Sequence, residues 1–342
     1  MSIEVPYTKL GKSGLKISRI IVGCMSYGTK SWDDWVIEDE EVIFGILNKC
    51  YAAGIRTFDT ADVYSNGKSE ELLGKWIKQF NIPRDRIVIL SKCYCPVDAI
   101  TPGFNFKTMD SFPKMDYINS QGLSRKHIFD AVEATVQRLG TYMDVLQVHR
   151  LDQDTPSEEI MKALHDVIGL GHTRYIGAST MKATEFAELQ FVAEKNGWTK
   201  FISMQNYYNL LYREEEREMI PFCNRSEVGL IPWSPNARGI LTRPASAQSD
   251  RAQSDGYMAV LGLKNLTEAD LEILKRVEEV AKAKNTSMAT IAIAWVLSKG
   301  ASPIVGFSSE ARVDDTLQAF AVALDDTELE YLEAAYEPRR PI

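Results

Sequence analysis

Short apolar runs rich in β-branched residues alternate with longer stretches whose apolar positions recur every three or four residues, almost from end to end of the chain. The short runs have strand length: RIIVG (19–23), IRTFD (55–59), RIVILS (86–91), DVLQVH (144–149), TRYIGAS (173–179), FISMQ (201–205), GLIPW (229–233) and SPIVG (302–306). Between them the helical period predicts helices over 40–53, 69–80, 124–139, 157–170, 183–196, 213–223 and 268–284. Ser124 and Ser157 stand at the heads of two of these helices, and a glycine closes each at its far end. Ahead of the first run, 7–10 and 15–18 flank GKSG and predict a small hairpin over 7–18.

Eight strand–helix units whose strands read as near-continuous apolar runs predict a (β/α)8 TIM barrel that takes in the whole chain, 1–342, as one domain. A doubly wound sheet is the competing architecture. It would need a G-x-G-x-x-G after the first strand, where backbone approaches a pyrophosphate, and the sequence has none there. Two long stretches, 93–123 and 234–267, break the alternation; in a barrel both overhang the C-terminal mouth, where ligands bind. The first carries Phe104, Phe106, Phe112 and Tyr117, which either wall a pocket for an apolar or aromatic substrate or pack on the barrel.

Composition narrows the function. With 45% hydrophobic residues in 342, the chain can bury a full core. Its net charge is −8 and no basic run stands out, which argues against a nucleic-acid surface. No apolar run approaches the ~18 residues of a membrane span, and the N-terminus lacks the basic and apolar regions of a signal peptide. Five scattered cysteines, an odd number, suit a reducing cytoplasm. Cys93 and Cys95 form a C-x-C with no second pair or nearby histidine, and no H-x-H or H-E-x-x-H occurs, so no metal site is expected.

Four residues with matched chemistry fall at or just beyond the ends of three consecutive predicted strands: Asp59, Tyr64, Lys92 and His149. If the strands are parallel neighbours, these side chains converge on one face. A carbonyl that accepts a hydride builds negative charge on oxygen and needs a proton there. Tyr64 can supply it, although an ordinary phenol titrates near ~10. A neighbouring Lys92 ammonium would lower that value towards working pH, with Asp59 aiming the ammonium. His149 would orient the substrate oxygen through a hydrogen bond. Asp59 with Glu70 or Glu71 could also be imagined as a glycosidase pair, but aromatic sugar platforms are missing from the strand ends.

These segments resemble the aldo-keto reductases over nearly the whole length. The resemblance is carried by GIRTFDTADVYSNGKSEELLGKWI, the strand ending in Lys92, VHR (148–150), GHTRYIGAST (171–180), FISMQNYYNLLYREEEREMIPFC (201–223) and GLIPWSPNARGILTRP. GCMSYGTKSWDDWV and NSQGLSRKHI look most like the fungal aryl-alcohol dehydrogenases and versiconal hemiacetal acetate reductases of polyketide pathways. The resemblance implies a barrel with an N-terminal hairpin, NADP(H) as cofactor, no metal, and reduction of a small-molecule aldehyde or ketone with Tyr64 as general acid. It assigns Ser179 and Gln205 to the nicotinamide carboxamide, Trp233 to stacking on its ring, and Gly23 and Met25 to the adjoining ribose. Ser234, Asn236, Arg238 and Leu241 fall in the loop expected to grip the pyrophosphate. Gly306, Ser308, Ser309 and Arg312 fall at the 2′-phosphate end, where many relatives carry a lysine in place of Gly306 and an asparagine in place of Thr316. Asp315 adds a negative charge there. A cofactor-binding scaffold like the channel-associated β subunits of the family is the alternative activity class.

Overall fold

The computed structural model describes residues 3–98, 100–101, 104, 108–247 and 255–342. A two-stranded antiparallel hairpin, β1 (Tyr7–Lys9) and β2 (Lys16–Ser18), precedes eight parallel strands: β3 (Ile21–Gly23), β4 (Thr57–Asp59), β5 (Val88–Cys93), β6 (Met143–Val148), β7 (Thr173–Ser179), β8 (Ser203–Gln205), β9 (Gly229–Leu230) and β10 (Ile304–Gly306). Their spatial order is β10-β3-β4-β5-β6-β7-β8-β9. The two ends of this sheet meet through a parallel bridge between Trp233 and Ile304, with Ser302 N donating to Leu230 O and Ile304 N to Pro232 O at 2.9 Å each. The result is a (β/α)8 barrel with helices between consecutive strands.

Period-two alternation then sorts the barrel interior into layers. Inward-facing Ile21, Leu90, Val145, Ile231 and Ile304 form an apolar layer together with Leu10 and Ile17 of the hairpin, which thereby plugs the N-terminal end. Two residues further along the same strands come Gly23, Lys92, Gln147, Trp233 and Gly306, so the next layer towards the C-terminal ends is polar or open. Gly177 sits among these interior chains, where a Cβ would stand 2.4 Å from Ser203 Oγ and 3.1 Å from Gln147 Cγ. The main apolar core lies outside the strands, between the sheet and the surrounding helices.

Several elements differ from expectation. The predicted helix over 213–223 is a short 3-10 turn, Glu214–Glu216, followed by a helix over Met219–Arg225. Pro221 explains this: it has no N–H to donate and fits only the first turn of a helix. Ser124 caps its helix by accepting from His127 N, but Ser157 is already inside its helix, Pro156 holds the cap position, and the Ser157 hydroxyl donates to Glu188. The helix Met288–Ser298 has no strong amphipathic pattern because it is buried nearly all round. In the stretch after β5, Phe104, Phe112 and Tyr117 pack on one another, with ring centroids 5.4 and 4.6 Å from Phe104. Phe106 lies outside the described residues.

Candidate active site

Register brings the four chemical side chains together. Asp59 ends β4, Lys92 lies in β5 and His149 follows β6, and these strands are hydrogen-bonded neighbours. Tyr64 follows β4 in a loop whose next three residues, Ser65, Asn66 and Gly67, all have positive φ. Lys92 Nζ lies 2.5 Å from Asp59 Oδ1, 2.8 Å from Thr60 O and 3.1 Å from Tyr64 Oη. Tyr64 accepts this bond from Lys92, which leaves its own O–H free to donate. The Tyr64 and His149 rings meet edge to face, 5.8 Å apart.

The charges follow from burial and partners. Burial works against the Lys92 ammonium, but Asp59 and Tyr64 outweigh it and raise its pKa. Burial holds His149 well below the ordinary imidazole value, reinforced by the nearby Lys92 and Arg150 charges, so the ring is neutral. Tyr64 reverses the direction expected from the residues alone: burial raises its pKa more than Lys92 lowers it. The ammonium therefore limits the rise and does not produce a net drop in pKa. Glu70 is not free to pair with Asp59 as a second catalytic carboxylate, because it accepts from Arg138 Nε at 2.6 Å and from Ser91.

Sequence reasoning missed Gln147. Fully buried in β6, it donates to Asp59 Oδ2 at 3.0 Å, alongside Gln205 at 2.9 Å. Asp59 is thus held on one oxygen by Lys92 and on the other by two amides. It also missed Trp32 and Trp35, which lie 5.9 Å apart, with Trp32 edge-on to Tyr64 at 6.3 Å. Trp32, with Trp35 against it, therefore borders the Tyr64 ring, while the Phe104 carbonyl accepts from Asn66 in the same loop. The only signal of the tryptophans was the W-D-D-W spacing in a loop too irregular to read.

The residues expected around a cofactor form a continuous rim. Ser179 and Gln205 are register partners, and Ser179 Oγ donates to Gln205 O at 2.9 Å. Thr180 accepts from Trp233 Nε1 at 3.2 Å, and Trp233 packs against Tyr207 with centroids 4.5 Å apart. Gly23 pairs with both Asp59 and Gly306, and half-buried Met25 joins the small cluster around Tyr64. In the loop after Trp233, Ser234, Ala237, Arg238 and Gly239 all have positive φ, and the buried Asn236 Oδ1 has no partner among the described residues. Leu241 is fully buried in a second apolar core, so a contact there would have to come from its backbone. Arg238 is turned into Asp255, with Nε 2.7 Å from Oδ2, so its charge is already matched. Further round, Gly306, Ser308, Ser309 and Arg312 are exposed, while Asp315 is turned away to accept from Ser287 Oγ at 2.9 Å. Among the described residues no group of three or more potential metal ligands occurs.

The chain is also similar to known proteins over nearly its whole length. The model of the aldo/keto reductase family matches residues 19–337. A Saccharomyces cerevisiae protein provisionally named an aryl-alcohol dehydrogenase is 56% identical over 338 residues, covering 99% of both chains. The versiconal hemiacetal acetate reductase of Aspergillus parasiticus is 53% identical over 338 residues, covering 97% of both. An aldo-keto reductase of Alternaria alternata is 46% identical over 345 residues, covering 98% of this chain and 92% of that one.

Proposed function

The chain belongs to the aldo/keto reductase family, and from that premise we propose that it reduces an aromatic or otherwise bulky aldehyde or ketone to the alcohol with NADPH, Tyr64 acting as general acid. The observation that carries this reading is the buried ammonium of Lys92, 3.1 Å from the Tyr64 hydroxyl and 2.5 Å from Asp59. The names of the relatives, an aryl-alcohol dehydrogenase and a reductase of versiconal hemiacetal acetate, favour an aromatic, polyketide-like substrate. Five free cysteines favour a cytoplasmic location.

NADPH fits the rim: the left-handed backbone at Ser234 and 237–239, which can turn N–H groups outward, and exposed Ser308, Ser309 and Arg312 offer the donors a dinucleotide phosphate needs. Bound there, the cofactor would supply a hydride to the carbonyl carbon. The chain does the rest. Neutral His149 has one N–H with which to fix the carbonyl oxygen near Tyr64. Tyr64 gives its proton to that oxygen, and Lys92 stabilises the phenolate left behind. Asp59, itself clamped by Gln147 and Gln205, keeps Lys92 charged and aimed.

The test is coenzyme oxidation followed by absorbance with a panel of aromatic aldehydes. NADPH should be oxidised in preference to NADH. Arg312→Ala should raise the KM for NADPH about tenfold, the worth of one charge-assisted hydrogen bond, and leave the KM for NADH within about twofold. A native preference for NADH would contradict the assignment.

A further inference from the structure

Arg150 follows His149 at the end of β6 and is half-buried at the mouth. Its Nη1 donates to the His149 carbonyl at 2.7 Å and its Nη2 to the Tyr257 hydroxyl at 3.3 Å. These bonds fix the guanidinium between the end of β6 and the Tyr257 ring, within electrostatic reach of Tyr64, His149, Tyr94 and Cys95. The other buried or half-buried cations around this face are matched: Lys92 by Asp59, Arg138 by Glu70, Arg238 by Asp255. Arg150 forms no ion pair among the described residues. The acid closest to it in sequence, Asp152, is committed to Leu123 N, Asp154 N and Thr155 Oγ1.

A guanidinium has five N–H donors, and two neutral acceptors leave capacity for an anion. Holding a half-buried cation without a counter-charge is unfavourable, so a bound carboxylate gains more here than on the open surface. The surroundings are aromatic: Trp32 borders Tyr64, the Tyr257 hydroxyl accepts from Arg150, and Trp35 and Tyr257 flank Arg238. The molecule as a whole carries −8, so its net field does not attract an anion and the attraction has to be local.

We propose that Arg150 is a specificity-determining residue that receives a ring carboxylate on an aromatic aldehyde substrate. The inference rests on the reductase reading above and adds the charge of the substrate to it.

The test compares 3- and 4-carboxybenzaldehyde with their methyl esters, using NADPH and the full chain as native protein, Arg150→Met and Arg150→Lys. The quantity read is the acid-to-ester ratio of kcat/KM within each protein. Comparing that ratio between proteins cancels intrinsic aldehyde reactivity and any common loss of activity. For at least one ring position the ratio should fall about tenfold or more in Arg150→Met, mainly through the KM of the acid, and be partly kept in Arg150→Lys. The native ratio should also fall as salt is raised, a reading that needs no variant. A ratio that is the same in native and Arg150→Met protein, or a native ratio insensitive to salt if that variant does not fold, overturns the inference while leaving carbonyl reduction intact. Failure of the native protein to turn over any aldehyde, acid or ester, overturns both.

Discussion

Lys92 is a fully buried cation, and such a charge is tolerable only where its partners are fixed in advance. Here Asp59 supplies the counter-charge, the Thr60 carbonyl a second acceptor, and Gln147 and Gln205 hold Asp59 in place. Asp59→Asn should therefore destabilise the fold by about 3–5 kcal/mol, because it strands an uncompensated charge; urea unfolding measures this. Gln147→Leu removes only one of two amide clamps and should lower kcat about tenfold with a smaller stability loss. The pH profile follows from the same set. His149 is pushed down and stays neutral from pH 6 upward, and Tyr64 and Lys92 are both pushed up, so neither loses its proton near neutrality. The kcat/KM for reduction should be flat from about pH 6 to 9 and fall only in alkali; a limb near the ordinary imidazole value would contradict this. The tetrad was legible in the sequence because its residue types are chemically distinctive at strand ends. Gln147 was not, since an interior glutamine carries no pattern of its own. The direction of the Tyr64 shift was missed because the sequence identifies the helpful cation but does not reveal how completely burial surrounds the phenol.

Helices and strands were readable from periodicity, whereas the loops that shape the mouth were not. Six of the nine non-glycine residues with positive φ among those described lie just after site residues: Ser65 and Asn66, Thr180, then Ser234, Ala237 and Arg238. Left-handed backbone costs roughly 1–2 kcal/mol per such residue, and its concentration here indicates loops held in place by their surroundings. Gly28 is one of the holders. Thr29 N donates to Ser65 Oγ at 3.2 Å, and a Cβ on Gly28 would stand 2.0 Å from that same oxygen. Gly28→Ala should displace the Ser65 turn and with it Tyr64, lowering kcat at least tenfold at a stability cost of about 1–3 kcal/mol. Unchanged turnover would show that the turn does not aim the phenol. The aromatics after β5 left two readings open, a substrate wall or packing; Phe104, Phe112 and Tyr117 pack on one another, and the segment after β3 brings Trp32 edge-on to Tyr64. Both stretches are aromatic and irregular, so only tertiary packing distinguishes them.

At the scale of the molecule, barrel closure and the hairpin plug leave the C-terminal ends of the strands as the face where the polar layer meets solvent. Eight apolar runs were enough to reveal this architecture; Val88–Cys93, Met143–Val148 and Thr173–Ser179 keep the predicted length, whereas the other five strands are shorter than their runs. Global stability should also carry a pH signature. Glu215 is pushed up to about 7 by burial and by Glu214, against a hydrogen bond from Asn206. Because the folded form holds this proton more tightly, the contribution is full below the ordinary carboxylate value and is lost as pH rises through 7. A shift of this size corresponds to about 3 kcal/mol, cut by partial solvent contact to roughly 1–2 kcal/mol. Glu215→Gln should accordingly gain about that much stability at pH 8 relative to pH 5, measured by urea unfolding at each pH. Reduction turns on a single proton from Tyr64, and the most direct test is turnover by Tyr64→Phe with cofactor binding followed in parallel by quenching of tryptophan fluorescence. Loss of reduction by about 100-fold or more with NADPH quenching intact is the predicted result; turnover close to that of the native protein would contradict it.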